Sequence, residues 1–231
     1  MTKNIKKAVV FGASGLVGKS LVAQLLADSA VTEVTLIVRQ PIFGLNEQKK
    51  LNVVVVDDLL KFNFESSTEV SHIFSCIGTT LKKAGSRQRF YQVDYQINAH
   101  LANLAKQKHA HFLLVSAIGA NPKAFSFYSR VKGELEQYVQ QQDLTKLSII
   151  RPSLLLGERG EARFLEDIAQ KLYQKIHRFS SRAFLYRPVQ AQQVAYTMVE
   201  AAKNQTQKIE IYDNLKIQQY INEGGVCAVN L

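Results

Sequence analysis

The sequence predicts an α/β protein built on one doubly wound parallel sheet, and three features carry that expectation. Short apolar runs alternate with longer stretches of helical periodicity along most of the 231 residues. Several of the runs are unbroken and rich in β-branched residues, which suits strands covered on both faces. The first run passes directly into Gly12-Ala13-Ser14-Gly15-Leu16-Val17-Gly18, a glycine-rich turn that opens a helix.

Taken in order, Lys7–Phe11 reads as a buried strand and Leu16–Ala27 as an amphipathic helix. Val34–Val38 and Val53–Val56 are the next two strands, the second a run of four valines closed by Asp57 and Asp58. Strand four spans His72–Ile77, followed by a long helix over Phe90–Gln107. Strand five is Phe112–Val115, helix Ser126–Gln141 follows it, and strand six, Leu147–Ile150, is halted by Arg151-Pro152. Helices near Ala162–Ile176 and Gln190–Ala202 and a short strand at Lys208–Tyr212 complete the pattern. Such alternation implies right-handed crossovers, with the ligand beyond the carboxyl ends of the strands. The expected organisation is a single domain over residues 1–231, with roughly 152–190 forming a substrate pocket.

Composition narrows the class. Hydrophobic residues make up 46% and charged residues 21%, ordinary for a globular chain. The four prolines fall between apolar runs, so no linker or second domain boundary is marked. Two distant cysteines, Cys76 and Cys227, fit a reducing, cytoplasmic setting. Three early lysines and an apolar stretch imitate an export signal, but the regular glycines and the lack of a small-residue cleavage site argue against export. No apolar run reaches the ~20 residues of a membrane span. His109 and His111 share a strand face without a third ligand, so no metal is expected. The net charge of +10 fits a phosphorylated ligand, an acidic surface or solubility alone. The basic, aromatic segment Lys171–Arg187 matches no nucleic-acid module, and a solvated face is the reading for it.

The glycine loop has the spacing of a dinucleotide site. Gly12 permits the tight turn, Gly15 lets the backbone approach a pyrophosphate, and Gly18 allows close helix packing. Backbone N–H groups around Ser14, Gly15, Leu16, Val17 and Gly18 would then face phosphates at the positive end of the helix dipole. At the end of strand two, where NAD enzymes place an acid for the ribose 2′-hydroxyl, stands Arg39. A guanidinium pairs with a 2′-phosphate, so NADP(H) is expected over NAD(H). Asp57 and Asp58 are placed to meet the adenine. Cys76, Ile77, Gly78, Thr79 and Thr80 would run beneath a ribose.

Tyr128-Ser129-Arg130-Val131-Lys132 sets a tyrosine and a lysine one helical turn apart. An adjacent ammonium is expected to lower the phenol pKa from ~10 toward working pH, making Tyr128 a proton donor or acceptor. The pattern alone is weak, since Tyr212 and Lys216 repeat it. Tyr128 differs by following the fifth strand, whose end carries Ser116.

The glycine loop GASGLVG, CIGTT after strand four, LLVSAIGA at strand five, YxxxK followed by Gly133-Glu134, and RPSLLLG after strand six occur in this order over roughly residues 5–215. The set resembles the atypical short-chain dehydrogenase/reductases, NAD(P)-binding proteins of Rossmann fold, in the branch that includes the animal Tat-interacting oxidoreductase. The resemblance implies that Tyr128 is the acid/base and that Lys132 lowers its pKa and holds the nicotinamide ribose. It further implies that Ser116 bonds the substrate oxygen and that Pro152 shapes the nicotinamide end of the pocket. One departure stands out: relatives often carry a second serine where this chain has Ala117.

Two main readings follow, with a nucleic-acid-associated role for the C-terminal basic segment as a distant third. One is an NADPH-dependent oxidoreductase acting on a small carbonyl compound or its alcohol, favoured by Tyr128 and Lys132. The other is a non-catalytic NADP(H)-binding redox sensor or regulator, favoured by Ala117. Lys82, Lys83, Arg87 and Arg89 would place positive potential over the pocket mouth, to steer an anionic ligand or simply to stay solvated.

Overall fold

The computed structural model describes residues 5–42, 49–156 and 185–223. β1 (Lys7–Phe11), α1 (Leu16–Ala27), β2 (Glu33–Val38), β3 (Leu51–Val55) and β4 (His72–Ser75) come first. Two short helices follow, α2 (Leu81–Ala84) and α3 (Arg87–Tyr91), then a π-helical turn (Gln92–Ile97), α4 (Asn98–Gln107) and β5 (His111–Val115). The remaining elements are α5 (Phe127–Gln140), β6 (Lys146–Ile150), β7 (Leu155–Leu156), β8 (Val189–Gln190), α6 (Ala191–Asn204), β9 (Ile209–Tyr212) and α7 (Asn214–Glu223).

Seven strands pair in the order β3-β2-β1-β4-β5-β6-β9, every neighbouring pair parallel. β7 and β8 form a separate parallel pair. Strand order reverses between β1 and β4, and open α/β sheets bind ligands at that switch point, outside the carboxyl ends. The inner strands β2, β1, β4, β5 and β6 are largely apolar on both faces because both are covered. Val10, Val34, Leu36 and Phe74 join Leu21 and Leu25 of α1 and Val194 and Met198 of α6 in one core. Val9, Phe11, Ile73 and Phe112 join Leu101 and Leu104 of α4 and Leu135 and Val139 of α5 in the other. Alternate residues of each strand thus feed opposite layers, as the period of two requires.

The structure departs from the sequence expectation in four places. β3, expected to be covered on both faces, is an edge strand, with Val54 and Val55 exposed at 39% and 50%. Its β-branched run reports strand propensity rather than burial. β4 stops at Ser75 rather than Ile77. The Cys76 N–H still donates to the Phe11 carbonyl at 2.9 Å before the chain turns away beneath Gly12. The basic stretch 81–89 is not an open loop. Thr80 accepts from the Lys83 N–H, Gly85 closes α2 at φ +74°, and Ser86 accepts from the Arg89 N–H to start α3. The long helix expected over 90–107 is interrupted by the π turn. Asn98 supports that turn by donating its amide to the carbonyls of Val93 and Asp94 at 3.2 and 3.1 Å. The helix expected at 162–176 lies outside the described residues.

An edge position tolerates polarity that a covered one does not. Val54→Thr is expected to change unfolding free energy by under about 0.5 kcal/mol, whereas Val10→Thr, which buries a hydroxyl in the core, costs about 1–3 kcal/mol. Urea denaturation of both variants reads this directly. Equal losses would mean that β3 is covered in solution.

Candidate functional site

The glycine turn lies at the switch point. Gly12 adopts φ +79°, and an added Cβ there would lie 2.7 Å from the Cys76 carbonyl. A Cβ on Gly18 would lie 2.1 Å from the Gly12 oxygen, so Gly18 seats the helix against its own turn rather than against the sheet. Gly15 has more room, its nearest neighbour 3.3 Å away. Gly15 caps α1 without a side-chain bond, and no acid occupies the first turn. The first N–H groups of a helix have no intrahelical acceptor, so this terminus is suited to an anion. Ser14 and Gly15 are exposed, Leu16 is half-buried, and Val17 and Gly18 are buried beneath them. These residues fit a dinucleotide's pyrophosphate.

Arg39 lies exposed just past β2, and Asp57 exposed just past β3. The two strand ends are neighbours, since the Val56 N–H donates to the Val38 carbonyl at 2.8 Å. Asp58 is occupied locally, accepting from the Leu60 N–H at 2.9 Å in a turn. Burial of the Cys76 sulfur pushes its thiol up to about 12, which disfavours the thiolate, and the sulfur sits 3.9 Å from that of Met198.

Lys132 is buried on α5, and its Nζ lies 2.8 Å from Asp94 Oδ1 in the π turn. The other Asp94 oxygen accepts from the Thr79 N–H at 2.9 Å. Gly78 closes the group: a Cβ on it would be 3.5 Å from Asp94 Oδ1 and 3.7 Å from Lys132 Nζ. Burial pulls the Lys132 ammonium down, but Asp94, Tyr128 and Glu136 together outweigh it and leave the pKa raised.

Tyr128 keeps 36% of its surface exposed, yet the crowding around its phenol pushes its pKa up. Lys132 pulls the other way, and Asp94 pushes it up again. The net direction is upward, which corrects the expectation of a lowered phenol. Burial is the largest cause of the rise; Lys132 still lowers the phenol, and Asp94 offsets only part of that effect. Ser116, at the end of β5, is buried, and its Oγ has no hydrogen-bond partner among the described residues. Its N–H donates to the Ile150 carbonyl at 2.7 Å, and Ile118 donates to Pro152 at 2.8 Å. Ser116, Ala117 and Pro152 therefore meet where β5 and β6 end.

Asp94, Asn98 and Ser75 went unread. Ser75 Oγ donates to Asn98 at 2.5 Å, and Asn98 also donates to Ile77 at 3.4 Å. A signal existed: Phe90, Asp94, Asn98, Leu101 and Ala105 recur at helical spacing, and all are buried. Two polar residues on an otherwise apolar stripe ask for partners. Arg151, beyond β6, grips Glu136 of α5 through its Nε at 3.0 and 3.1 Å. The repeated pattern at Tyr212 and Lys216 is structural, since Tyr212 is a core residue with the lysine stacked on its ring at 4.3 Å. His109 is exposed in a turn, while His111 is buried and bonded to Ser148 at 2.8 Å. No group of three metal-binding side chains occurs among the described residues.

Comparison with known proteins agrees with this geometry. The model of a family described as NAD(P)H-binding matches residues 12–205. The rat protein HTATIP2 is 35% identical over 177 residues, covering 73% of this chain and 70% of its own. FMP52 of Debaryomyces hansenii, named mitochondrial, is 32% identical over 202 residues, 84% and 87% of the two chains. Among solved structures, a short-chain dehydrogenase/reductase family oxidoreductase from Burkholderia thailandensis superposes with a TM-score of 0.67 at 15% identity, covering 94% of each chain. MoeE5 in complex with UDP-glucose and NAD superposes at 0.66 and 14% identity, covering 89% and 74%. These two show a shared fold.

The cytoplasmic expectation is overturned by the fungal relatives, which are named mitochondrial. No helix among the described residues is long and apolar enough to cross a membrane.

Gly133 offers a test of how α5 is seated. A Cβ there would lie 2.2 Å from the backbone of Asn121 and Pro122, which crosses the helix beside Lys132. Gly133→Ala is therefore expected to destabilise by about 1–3 kcal/mol, read by chemical denaturation. A neutral result would show that this crossing is loose.

Proposed function

The chain belongs to the NAD(P)H-binding family, and we propose that it is an NADPH-dependent oxidoreductase of the short-chain dehydrogenase/reductase type. Its substrate class is a small carbonyl compound or the corresponding alcohol. The observation that carries this reading is the buried Lys132 ammonium packed against Gly78. It ties the helix bearing Tyr128 to the loop that passes under the dinucleotide crevice. The chain is read as one domain with small molecules as its ligands; of the expected pocket segment 152–190, residues 157–184 lie outside the described residues. A mitochondrial location follows the naming of the fungal relatives.

In this account the N–H groups at Gly15–Gly18 hold the pyrophosphate, and Arg39 takes the 2′-phosphate. Asp57 and Asp58 flank the adenine, Cys76–Thr79 support a ribose, and Lys132 and Pro152 frame the nicotinamide end. The reduced nicotinamide supplies a hydride when bound. A substrate carbonyl would be oriented by the Ser116 hydroxyl, whose lack of a partner leaves it available to bond an oxygen. As the carbonyl carbon gains the hydride, its oxygen takes the phenolic proton of Tyr128, giving an alcohol and a tyrosinate that solvent reprotonates. The reverse steps oxidise an alcohol. A non-catalytic NADP(H)-binding role is the second reading, favoured by Ala117, buried where relatives often have a second serine.

Two measurements separate these claims. NADPH is expected to bind tighter than NADH, and Arg39→Ala to close most of the gap, since a charge-assisted hydrogen bond contributes roughly 1.5–3 kcal/mol, about ten- to a hundredfold. Identical titrations of wild type with the two nucleotides would remove Arg39 from the site. Tyr128→Phe is expected to cut carbonyl reduction by on the order of 10² or more while leaving NADPH affinity in place. Tyr212→Phe, in the structural copy of the motif, is expected to keep activity. If wild type turns over nothing in a broad aldehyde and ketone screen yet binds NADPH, the regulatory reading replaces the catalytic one.

A further inference from the structure

We propose that Asp94 is a positioning residue of this site: one buried carboxylate holds the Lys132 ammonium and the Gly78–Thr79 backbone together. Asp94 thereby offsets part of the pull that Lys132 exerts on the phenol of Tyr128, which acts as a proton donor. The proton-donor role rests on the oxidoreductase reading above, whereas the hold of Asp94 on Lys132 and on the 78–79 backbone does not.

Three observations place Asp94 in this role. The first is geometry: Oδ1 lies at ion-pair distance from Lys132 Nζ, 2.8 Å, though out of hydrogen-bond alignment, and Oδ2 accepts from the Thr79 N–H at 2.9 Å. The second is burial. Asp94 and Lys132 are almost wholly inaccessible, and a buried charge is tolerated when it is paired. The third is the backbone. The π turn spans Gln92–Ile97 and contains Asp94, and Asn98 satisfies the carbonyls of Val93 and Asp94 beside it. Single π turns inside α-helices occur frequently at functional sites.

The electrostatic consequence follows from the groups that face Tyr128 and Lys132. On α5 these are Tyr128, Lys132 and Glu136, with Glu136 bound in turn to Arg151 beyond β6. From the π turn there is Asp94. Burial first and Lys132 second set the phenol's balance, and Asp94 adds its push toward the protonated form. A lysine alone would favour tyrosinate, and the carboxylate paired with it counters part of that pull. A protonated phenol suits transfer to a developing alkoxide. A tyrosinate suits removal of a proton from an alcohol.

The test uses the full chain carrying tyrosine labelled with ¹³C at Cζ, titrated without nucleotide, with Tyr128→Phe assigning the resonance. Asp94→Asn is expected to lower the Tyr128 midpoint by about one pH unit or more, a tenfold change in the proton equilibrium. It is also expected to weaken NADPH binding about tenfold, because the 78–79 loop loses its tether. A midpoint unchanged or raised in folded Asp94→Asn overturns the proposal. Should Asp94→Asn fail to fold by circular dichroism, Asp94→Glu carries the test. It keeps the charge, but its extra methylene cannot serve Lys132 and the Thr79 N–H at their present distances. NADPH affinity is then expected to fall about tenfold with the fold intact, and unaltered affinity overturns the proposal. If Asp94→Asn shows the titration shift but the wild-type protein reduces no carbonyl compound, the oxidoreductase reading is contradicted and the positioning role stands.

Discussion

Two opposite charges, Lys132 and Asp94, are withdrawn from water at the carboxyl edge of the sheet, and much of the local architecture is arranged around keeping them together. Removing one member of such a buried pair costs on the order of 3–5 kcal/mol, a large share of a domain's net stability. The pair joins three segments that are distant in sequence: the loop after β4 through Thr79, the interrupted helix through Asp94, and α5 through Lys132. A second ion pair, Arg151 with Glu136, ties α5 to the end of β6 one turn further along. The helix that carries Tyr128 is thereby held at both the β4 and the β6 sides of the crevice.

The glycines show the complementary constraint, which is close approach rather than charge. Gly12 and Gly18 let a helix terminus sit directly over a strand end, where a side chain would collide with backbone. Gly133 does the same for the 121–122 segment crossing α5, so the lysine-bearing turn can be covered without displacing the helix. Backbone packed this tightly fixes the direction of the first N–H groups of α1, and an anion site depends on that direction.

How much of this was legible in the sequence depends on range. Local signals were read well. The run Lys7–Phe11, the glycine turn and the helix Leu16–Ala27 fall where expected, because apolar periodicity and glycine spacing are properties of short windows. What failed was information held in pairs of distant residues. Four valines could not say whether another strand would lie outside them, so Val54 and Val55 were assigned to the interior. Lys132 could be placed one turn from Tyr128, but nothing near it announced Asp94, thirty-eight positions earlier. The missing clue was the pair of polar residues, Asp94 and Asn98, on a buried helical stripe. The same limit affected location, because two distant cysteines name no compartment, and the fungal relatives are named mitochondrial.

The central claim is that a dinucleotide lies across the switch point, over the glycine turn and the loop after β4. Amide hydrogen exchange with and without saturating NADPH tests it most directly, because it reports on backbone and needs no substrate. The account predicts that added protection concentrates at Gly15–Gly18 and Ile77–Thr79, with α7 and the β9 edge unchanged. Protection absent from both of those segments, or confined to the far edge of the sheet, would contradict it.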